Sequence, residues 1–274
     1  MWRYLIYTER FSIPMFGVMA VIGFLTGFYI VRREAKRLNI PLQNVESLAF
    51  WILVGVIIGG RVWYVLEMWN YYSKNVGEIF RFWEGGLVYY GGFIGGFIGG
   101  ILYLKISRLN FSKTSDIIAT GLPIALSFGR IGCFLNGCCF GKETDSFIGV
   151  TFPKRWLPPV YVSQIERHLI DINATRTLPV IPTQIISSFL LLLIFFIIFY
   201  LRNKKPYEGF LFHLFLLLYG LKRFSIDFFR HYEGNALVFK VLTLSQILSL
   251  ILIVTGIVFI TKNWVSRKRN ANSE

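Results

Sequence analysis

Runs of uncharged residues long enough to cross a bilayer constrain this chain more than any other feature. A helix rises about 1.5 Å per residue, so about 20 mainly apolar residues span a hydrocarbon core of about 30 Å. Residues 11–31, 85–104, 177–201 and 241–261 carry no formal charge. Three further stretches are interrupted only by isolated polar groups: Arg61 in 47–66, Arg130 in 117–141, and His213, Lys222, Arg223 and Asp227 in 209–229. The pattern predicts an all-α integral membrane protein with about seven transmembrane helices.

Charge patterning adds topology. Only 16% of the 274 residues are charged, yet the formal net charge is +14. In a soluble chain that excess points to nucleic acid. Here it falls in short basic segments, Arg32–Arg37, Lys105–Lys113, Arg202–Lys205 and Lys262–Arg269, that alternate between spans. Basic residues flank spans on the cytoplasmic side. The density therefore predicts a multi-pass protein with its N-terminus outside, its C-terminus in the cytoplasm and no nucleic-acid partner. Glu9 and Arg10 precede the first span without a small-residue cleavage site after it, so that span is expected to be retained.

Three regions follow: helices one to four over 1–141, a polar segment over 142–182, and helices five to seven with a basic tail over 183–274. The polar segment holds five prolines and five Lys/Arg. Loops of such length are uncommon unless functional or disordered, which predicts a small extracytoplasmic head with a role in substrate access. The loop 68–84, rich in Trp and Tyr, suits a membrane interface. Glycine pairs at 91–92, 95–96 and 99–100 leave one helix face nearly bare, as at close helix–helix contacts.

The buried arginines carry the functional reading. Counted from the inner end of each span, Arg61, Arg130 and Arg223 each lie roughly 20 Å up the core. Tyr89 and Tyr90, entering from the other side, reach the same zone. Arginine keeps its proton, and placing it at mid-bilayer costs at least about 2.5 kcal/mol. Either each arginine snorkels to the interface or they line a shared polar cavity, and the common depth favours the cavity. On the sixth span Tyr219, Arg223, Asp227 and Arg230 fall on one helix face. Asp227 can pair with Arg223 but cannot neutralise the rest, so an anion is implied. A guanidinium fork matches a lipid phosphate.

Several ordered segments carry a family resemblance. Gly129-Arg130-Ile131-Gly132-Cys133-Phe134-Leu135-Asn136-Gly137-Cys138-Cys139-Phe140-Gly141 resembles the signature of bacterial prolipoprotein diacylglyceryl transferases. So do Gly59-Gly60-Arg61 with Tyr64, Gly85-Gly86 with Tyr90-Gly91-Gly92, and Pro182-Thr183-Gln184. Tyr219-Gly220-Leu221-Lys222-Arg223-Phe224 with Asp227-Phe228-Phe229-Arg230, and Leu242-Thr243-Leu244-Ser245-Gln246, complete the series.

The resemblance implies transfer of the diacylglyceryl group of phosphatidylglycerol to the lipobox cysteine of a preprolipoprotein signal peptide, at a bacterial inner membrane, without metal or cofactor. It implies catalytic roles for Arg130, Arg223, Asp227 and Tyr90. Substrate contacts are implied for Arg61, Arg130, Asn136, Gly141, Tyr219 and Arg223. The sequence departs from the family pattern at Tyr90, where a histidine is usual, and at Cys133 and Cys138, where asparagine and glutamate are usual. Tyrosine titrates near 10, so Tyr90 is expected to orient a hydrogen bond, and Asp227 or the substrate phosphate to accept the thiol proton. Small-residue packing is the plain reading of Cys133, Cys138 and Cys139. A disulfide at an oxidising face and a metal site lacking an evident fourth ligand are the alternatives. A transporter or channel for an anionic solute, or a transferase for another lipid or thiol, are the competing functions.

Overall fold

A computed structural model describes residues 2–8, 12–81, 85–232, 237–238 and 242–271. Glu9, Arg10, residues 82–84 of the aromatic loop and the side chains of Tyr89 and Arg267–Arg269 lie outside the described set. The main helices are α1 (Met15–Arg37), α2 (Leu42–Glu67), α4 (Tyr89–Ile106), α5 (Phe111–Asn136), α7 (Thr183–Leu201), α8 (Phe210–Asp227) and α9 (Leu244–Ala271). Two short helices, α3 (Trp69–Tyr72) and α6 (Pro159–Glu166), sit in connections. A hairpin of β1 (Tyr4–Tyr7) and β2 (Ser12–Pro14) precedes α1.

Five helices are long and apolar enough to cross a membrane: Met15–Arg37, Leu42–Glu67, Phe111–Asn136, Thr183–Leu201 and Leu244–Ser266. Large apolar side chains such as Leu25, Ile58, Phe196 and Ile251 remain exposed on them. Soluble monomers rarely leave contiguous apolar surface of that kind, so the chain is an all-α membrane protein. The other two expected spans are helical as well, α4 being shorter and α8 carrying Lys222, Arg223 and Asp227.

The chain forms two compact units, Met1–Ile30 with Ser115–Glu274, and Val31–Thr114. In the second unit the glycine face does what its spacing predicts. A Cβ at Gly95 would lie 2.1 Å from the Gly55 carbonyl oxygen, and one at Gly91 would lie 2.3 Å from that of Gly59. Only glycine lets α2 and α4 touch backbone to backbone.

The first unit joins α1, α5, α7, α8 and α9. Ala119, Ile194, Ile198, Leu211 and Phe215 form its apolar core between α5, α7 and α8. Gly23 and Gly27 bring α1 against the carbonyls of Ala125 and Gly121 on α5. Ser127 and Ser188 exchange a buried hydrogen bond of 2.7 Å between α5 and α7. Asp116, 1% exposed, accepts backbone N–H bonds from Gly209, Leu211 and Phe212 at 2.9–3.2 Å and an ion pair from Lys205 at 2.8 Å. A carboxylate from α5 thus satisfies the orphan donors at the start of α8.

The 142–182 segment has its own core. Phe152, Val160 and Val180 are fully buried against Phe140 and Phe134. Tyr161, also fully buried, donates its hydroxyl to the carbonyls of Ile172 and Ala174. Its single helix opens with Pro159, whose missing N–H costs nothing in the first turn.

Candidate active site

The site is built where four sequence motifs of the first unit meet. The α5 helix ends at Asn136, and Gly137 turns the chain with φ 72°. The segment after it is held on two sides. Gly141 N–H donates to the Ile181 carbonyl at 3.0 Å, and Ile181 N–H returns a bond to Lys142 at 3.0 Å. On the other side Lys142 N–H bonds the Phe229 carbonyl at 2.9 Å, and His231 N–H bonds that of Phe140 at 3.2 Å. The Phe140 and His231 rings stack at 5.5 Å. A Cβ on Gly141 would meet the Ile181 oxygen at 2.6 Å and the Phe229 oxygen at 2.8 Å, so two backbones close on this glycine.

The start of α7 supports the same segment. Thr183 Oγ1 donates to the Cys139 carbonyl at 2.9 Å, and Gln184 Nε2 to the Cys138 carbonyl at 2.8 Å. Both side chains are buried. Their polar ends are aimed at carbonyls that the tight turn removes from any helix ladder.

Basic side chains converge beside it. Lys222, 6% exposed, donates to Ser187 Oγ at 2.9 Å and lies 4.7 Å over the Tyr219 ring. It stands within electrostatic reach of Arg130, Arg223 and Arg230. Arg223 approaches Asp227 to 3.7 Å across one helical turn. Asp227 has no exposed side-chain surface and is engaged on both oxygens. The Tyr232 hydroxyl donates to Oδ1 and the Thr243 hydroxyl to Oδ2. Thr243 also accepts from Gln246 N–H at 3.1 Å while Gln246 Oε1 accepts from Thr243 N–H at 3.0 Å. This reciprocal pair is a capping box that starts α9, and it aims the Thr243 hydroxyl at Asp227. Arg230 Nε is buried and finds no acceptor among the described residues.

The chain matches the family model described as prolipoprotein diacylglyceryl transferase over residues 3–262. It is similar to phosphatidylglycerol–prolipoprotein diacylglyceryl transferases of Francisella tularensis subsp. mediasiatica and subsp. novicida. Each is 32% identical over 266 residues, covering 94% of this chain and 92% of the relative. The chain belongs to the prolipoprotein diacylglyceryl transferase family. Membership favours the transferase reading over the transporter or channel.

Within this family member, the residues named from sequence divide between the units. Arg130, Asn136, Gly141, Tyr219, Arg223 and Asp227 belong to the first, Arg61 and Tyr90 to the second. Asn136 Oδ1 accepts from Arg3 Nε at 3.1 Å, and Arg3 also bonds the carbonyls of Trp156 and Leu157. Tyr90 is exposed in the first turn of α4.

Arg61 is heavily committed to backbone. Its guanidinium donates to the carbonyls of Glu78, Ile79, Gly85 and Gly86 at 2.7–3.3 Å and faces the Tyr64 and Tyr72 rings. It borders a cavity of about 320 Å³ with Tyr71, Glu78 and Arg81. That geometry holds the loop onto α2 and leaves little of the fork for a phosphate.

Sequence reasoning did not single out Lys222, Thr243, Tyr232 or Arg3 as parts of the site. The Lys222-Arg223 doublet inside an apolar span was the available signal for the first. For Thr243 the signal was its place in the Leu242–Gln246 motif, and nothing in the sequence pointed to Asp227 as the acceptor for its hydroxyl or for that of Tyr232.

Proposed function

We propose that this chain transfers the diacylglyceryl group of phosphatidylglycerol to a prolipoprotein cysteine at the basic site of its first unit. The observation that carries the assignment is the gathering of Arg130, Arg223 and Arg230 about Lys222, beside a carboxylate, Asp227, that pairs with Arg223 and already accepts two hydroxyls. Such a site has a surplus of donors and positive charge, and a phosphodiester anion matches both.

In the reaction the thiol sulfur attacks the glycerol carbon that bears the phosphate. A C–S bond forms as the C–O bond breaks, and the bonding pair leaves on the phosphate oxygen. Charge grows on that oxygen, and Arg130 and Arg223, held in place beforehand, stabilise it there. Removing one such preorganised donor typically costs about 10²–10³ in rate. Asp227 is poorly suited to take the thiol proton, since its oxygens already accept two hydroxyls. We read it as the group that positions Arg223. The departing glycerol phosphate, whose second pKa lies near about 6, receives the proton. In this reading Tyr219 and Gly141 shape the phosphate pocket. Asn136 anchors the end of α5, Arg61 positions the loop before α4, and Tyr90 orients a hydrogen bond at the entrance of α4.

The same reading makes all seven main helices membrane spans. The N-terminus and the 142–182 head then face the outside of a bacterial inner membrane, and the basic tail faces the cytoplasm. Support comes from the alternation of basic segments and from the paired aspartate that makes α8 tolerable in lipid.

The test is direct. Purified protein mixed with labelled phosphatidylglycerol and a lipobox peptide should move label to the peptide cysteine. Absence of transfer, under conditions where another family member works, overturns the function. Arg130→Ala should abolish transfer in protein that remains folded, and near-normal rates in that variant would overturn the phosphate assignment.

A further inference from the structure

The chain has three cysteines, Cys133, Cys138 and Cys139, and the transfer reaction uses none of them. The backbone brings them together. Cys138 N–H donates to the Cys133 carbonyl at 3.1 Å, and Gly137 N–H to the Phe134 carbonyl at 3.1 Å. With Gly137 left-handed at φ 72°, these two bonds make a Schellman stop at the end of α5. A Schellman stop places the third residue before the cap beside the second residue after it, commonly as an apolar contact. Here both positions are cysteine. Cys139 is itself left-handed, at φ 58°, a conformation that costs a non-glycine residue about 1–2 kcal/mol. That second reversal turns its thiol back toward the other two.

The three sulfurs lie within 4.8 Å of one another and are partly buried. All three thiols are free. Sulfurs bound at about 2.3 Å around one ion stand about 4 Å apart, so the observed spacing needs little adjustment. The loop is fixed from behind by Thr183 and Gln184 on the carbonyls of Cys139 and Cys138. Its shape therefore does not depend on the thiols. Supporting hydrogen bonds of this kind orient the ligands of metal sites. Arg230 and Arg130 stand within electrostatic reach of Cys139. Their charge would balance a trithiolate that remains anionic after one ion binds.

We propose that Cys133, Cys138 and Cys139 form a trithiolate site for a thiophilic, three-coordinate metal ion of the Cu(I) class. Thiolates select soft ions such as Cu(I) and zinc. Structural zinc sites are almost always four-coordinate, and among the described residues no histidine or carboxylate joins the three sulfurs. Three ligands therefore favour Cu(I).

The full-length protein, purified in detergent under reducing, metal-free conditions, would be titrated with Cu(I) against a chromogenic Cu(I) chelator, and the loaded protein read by X-ray absorption. One Cu(I) per chain with three sulfur ligands is expected. Cys133→Ser, Cys138→Ser and Cys139→Ser should each weaken competition with the chelator by at least about tenfold. The chain holds no other cysteine, so thiolate-to-copper absorption can arise only here. For any variant that does not fold, wild-type protein provides the check: Cu(I) should protect all three thiols from maleimide. Copper stoichiometry unchanged in the serine variants, fewer than three sulfur ligands, a thiol still labelled at its metal-free rate, or tighter four-coordinate binding of Zn(II) would each overturn the proposal. None of these readouts depends on transfer activity.

Discussion

Arg223 and Asp227 stand one turn apart on α8, their charged groups separated by 3.7 Å, and the aspartate is completely buried while the arginine is not. The pair is asymmetric in a useful way. Asp227 is saturated by the hydroxyls of Tyr232 and Thr243, so it fixes the arginine without using up its fork.

That relationship sets the first prediction. Arg223→Ala should lower transfer by about 10²–10³, and Arg223→Lys should restore only part of it, because an ammonium lacks the planar fork. Asp227→Asn keeps an oxygen for one hydroxyl but no longer holds Arg223 by charge. It should lower transfer while leaving the pH profile of the remaining activity unshifted. A profile that loses its acidic limb in Asp227→Asn would make Asp227 the proton acceptor instead.

Gly141 offers a purely steric test. A methyl group there would press on the carbonyls of Ile181 and Phe229 at 2.6 and 2.8 Å. It would pry apart the segments that carry Cys139 and Arg230. Gly141→Ala should lower thermal stability by about 1–3 kcal/mol, the usual cost of overpacking, and reduce transfer with it. Gly129→Ala, whose Cβ meets nothing within 4 Å, should keep or slightly raise the melting temperature, since alanine is favoured over glycine inside a helix. Equal melting temperatures for the two variants would show that the close approach at Gly141 is not sustained.

In the second unit, Arg61→Ala would take this donor from the carbonyls of Ile79, Gly85 and Gly86, and from that of Glu78, which keeps the Arg81 N–H. A loss of about 2–3 kcal/mol is expected, at the level of a buried group left unsatisfied. Limited proteolysis should show faster cleavage over 76–86. An unchanged cleavage rate would argue that the loop is held by other contacts.

The Glu143–Arg167 pair, 2.5 Å apart in the 142–182 segment, carries a pH dependence. Burial alone would push Glu143 up, but the Arg167 guanidinium, with a backbone N–H and the Gln164 amide beside it, holds the carboxyl below its ordinary value of 4.5. A depressed carboxyl stabilises the fold above that ordinary value, and the contribution disappears as pH falls through the lower, folded value. Both side chains are 29% exposed, so solvent screening limits the pair to about 0.5–1 kcal/mol. Glu143→Gln should melt earlier than wild type at pH 7, and the difference should shrink as the pH is taken below 4.5. A gap that persists undiminished in acid would point to packing rather than charge.

Much of this architecture was legible in the sequence because its determinants are local. Span-length apolar runs, glycines every fourth residue and an i, i+4 charge pair are properties of neighbouring residues. The structure returns them as helices, the α2–α4 contact and the Arg223–Asp227 pair. The site's arginines were legible too, since charge inside an apolar run is conspicuous wherever the chain goes. Their partners were not. Thr183 and Gln184 behind the cysteine turn and Thr243 on Asp227 stand in motifs that carry the resemblance, yet neither they nor Asp116 at the start of α8 shows in sequence what it bonds. They acquire a task only when packing brings a distant donor or acceptor within about 3 Å. Arg61 shows the same limit from the other side. Its depth placed it in the same zone as the other two arginines, and only the tertiary structure shows its donors on four loop carbonyls. The sequence by itself determined which residues must be buried and which charges must be met. Only the folded backbone decided what meets them, because hydrogen-bond partners are chosen by distance in space and not along the chain.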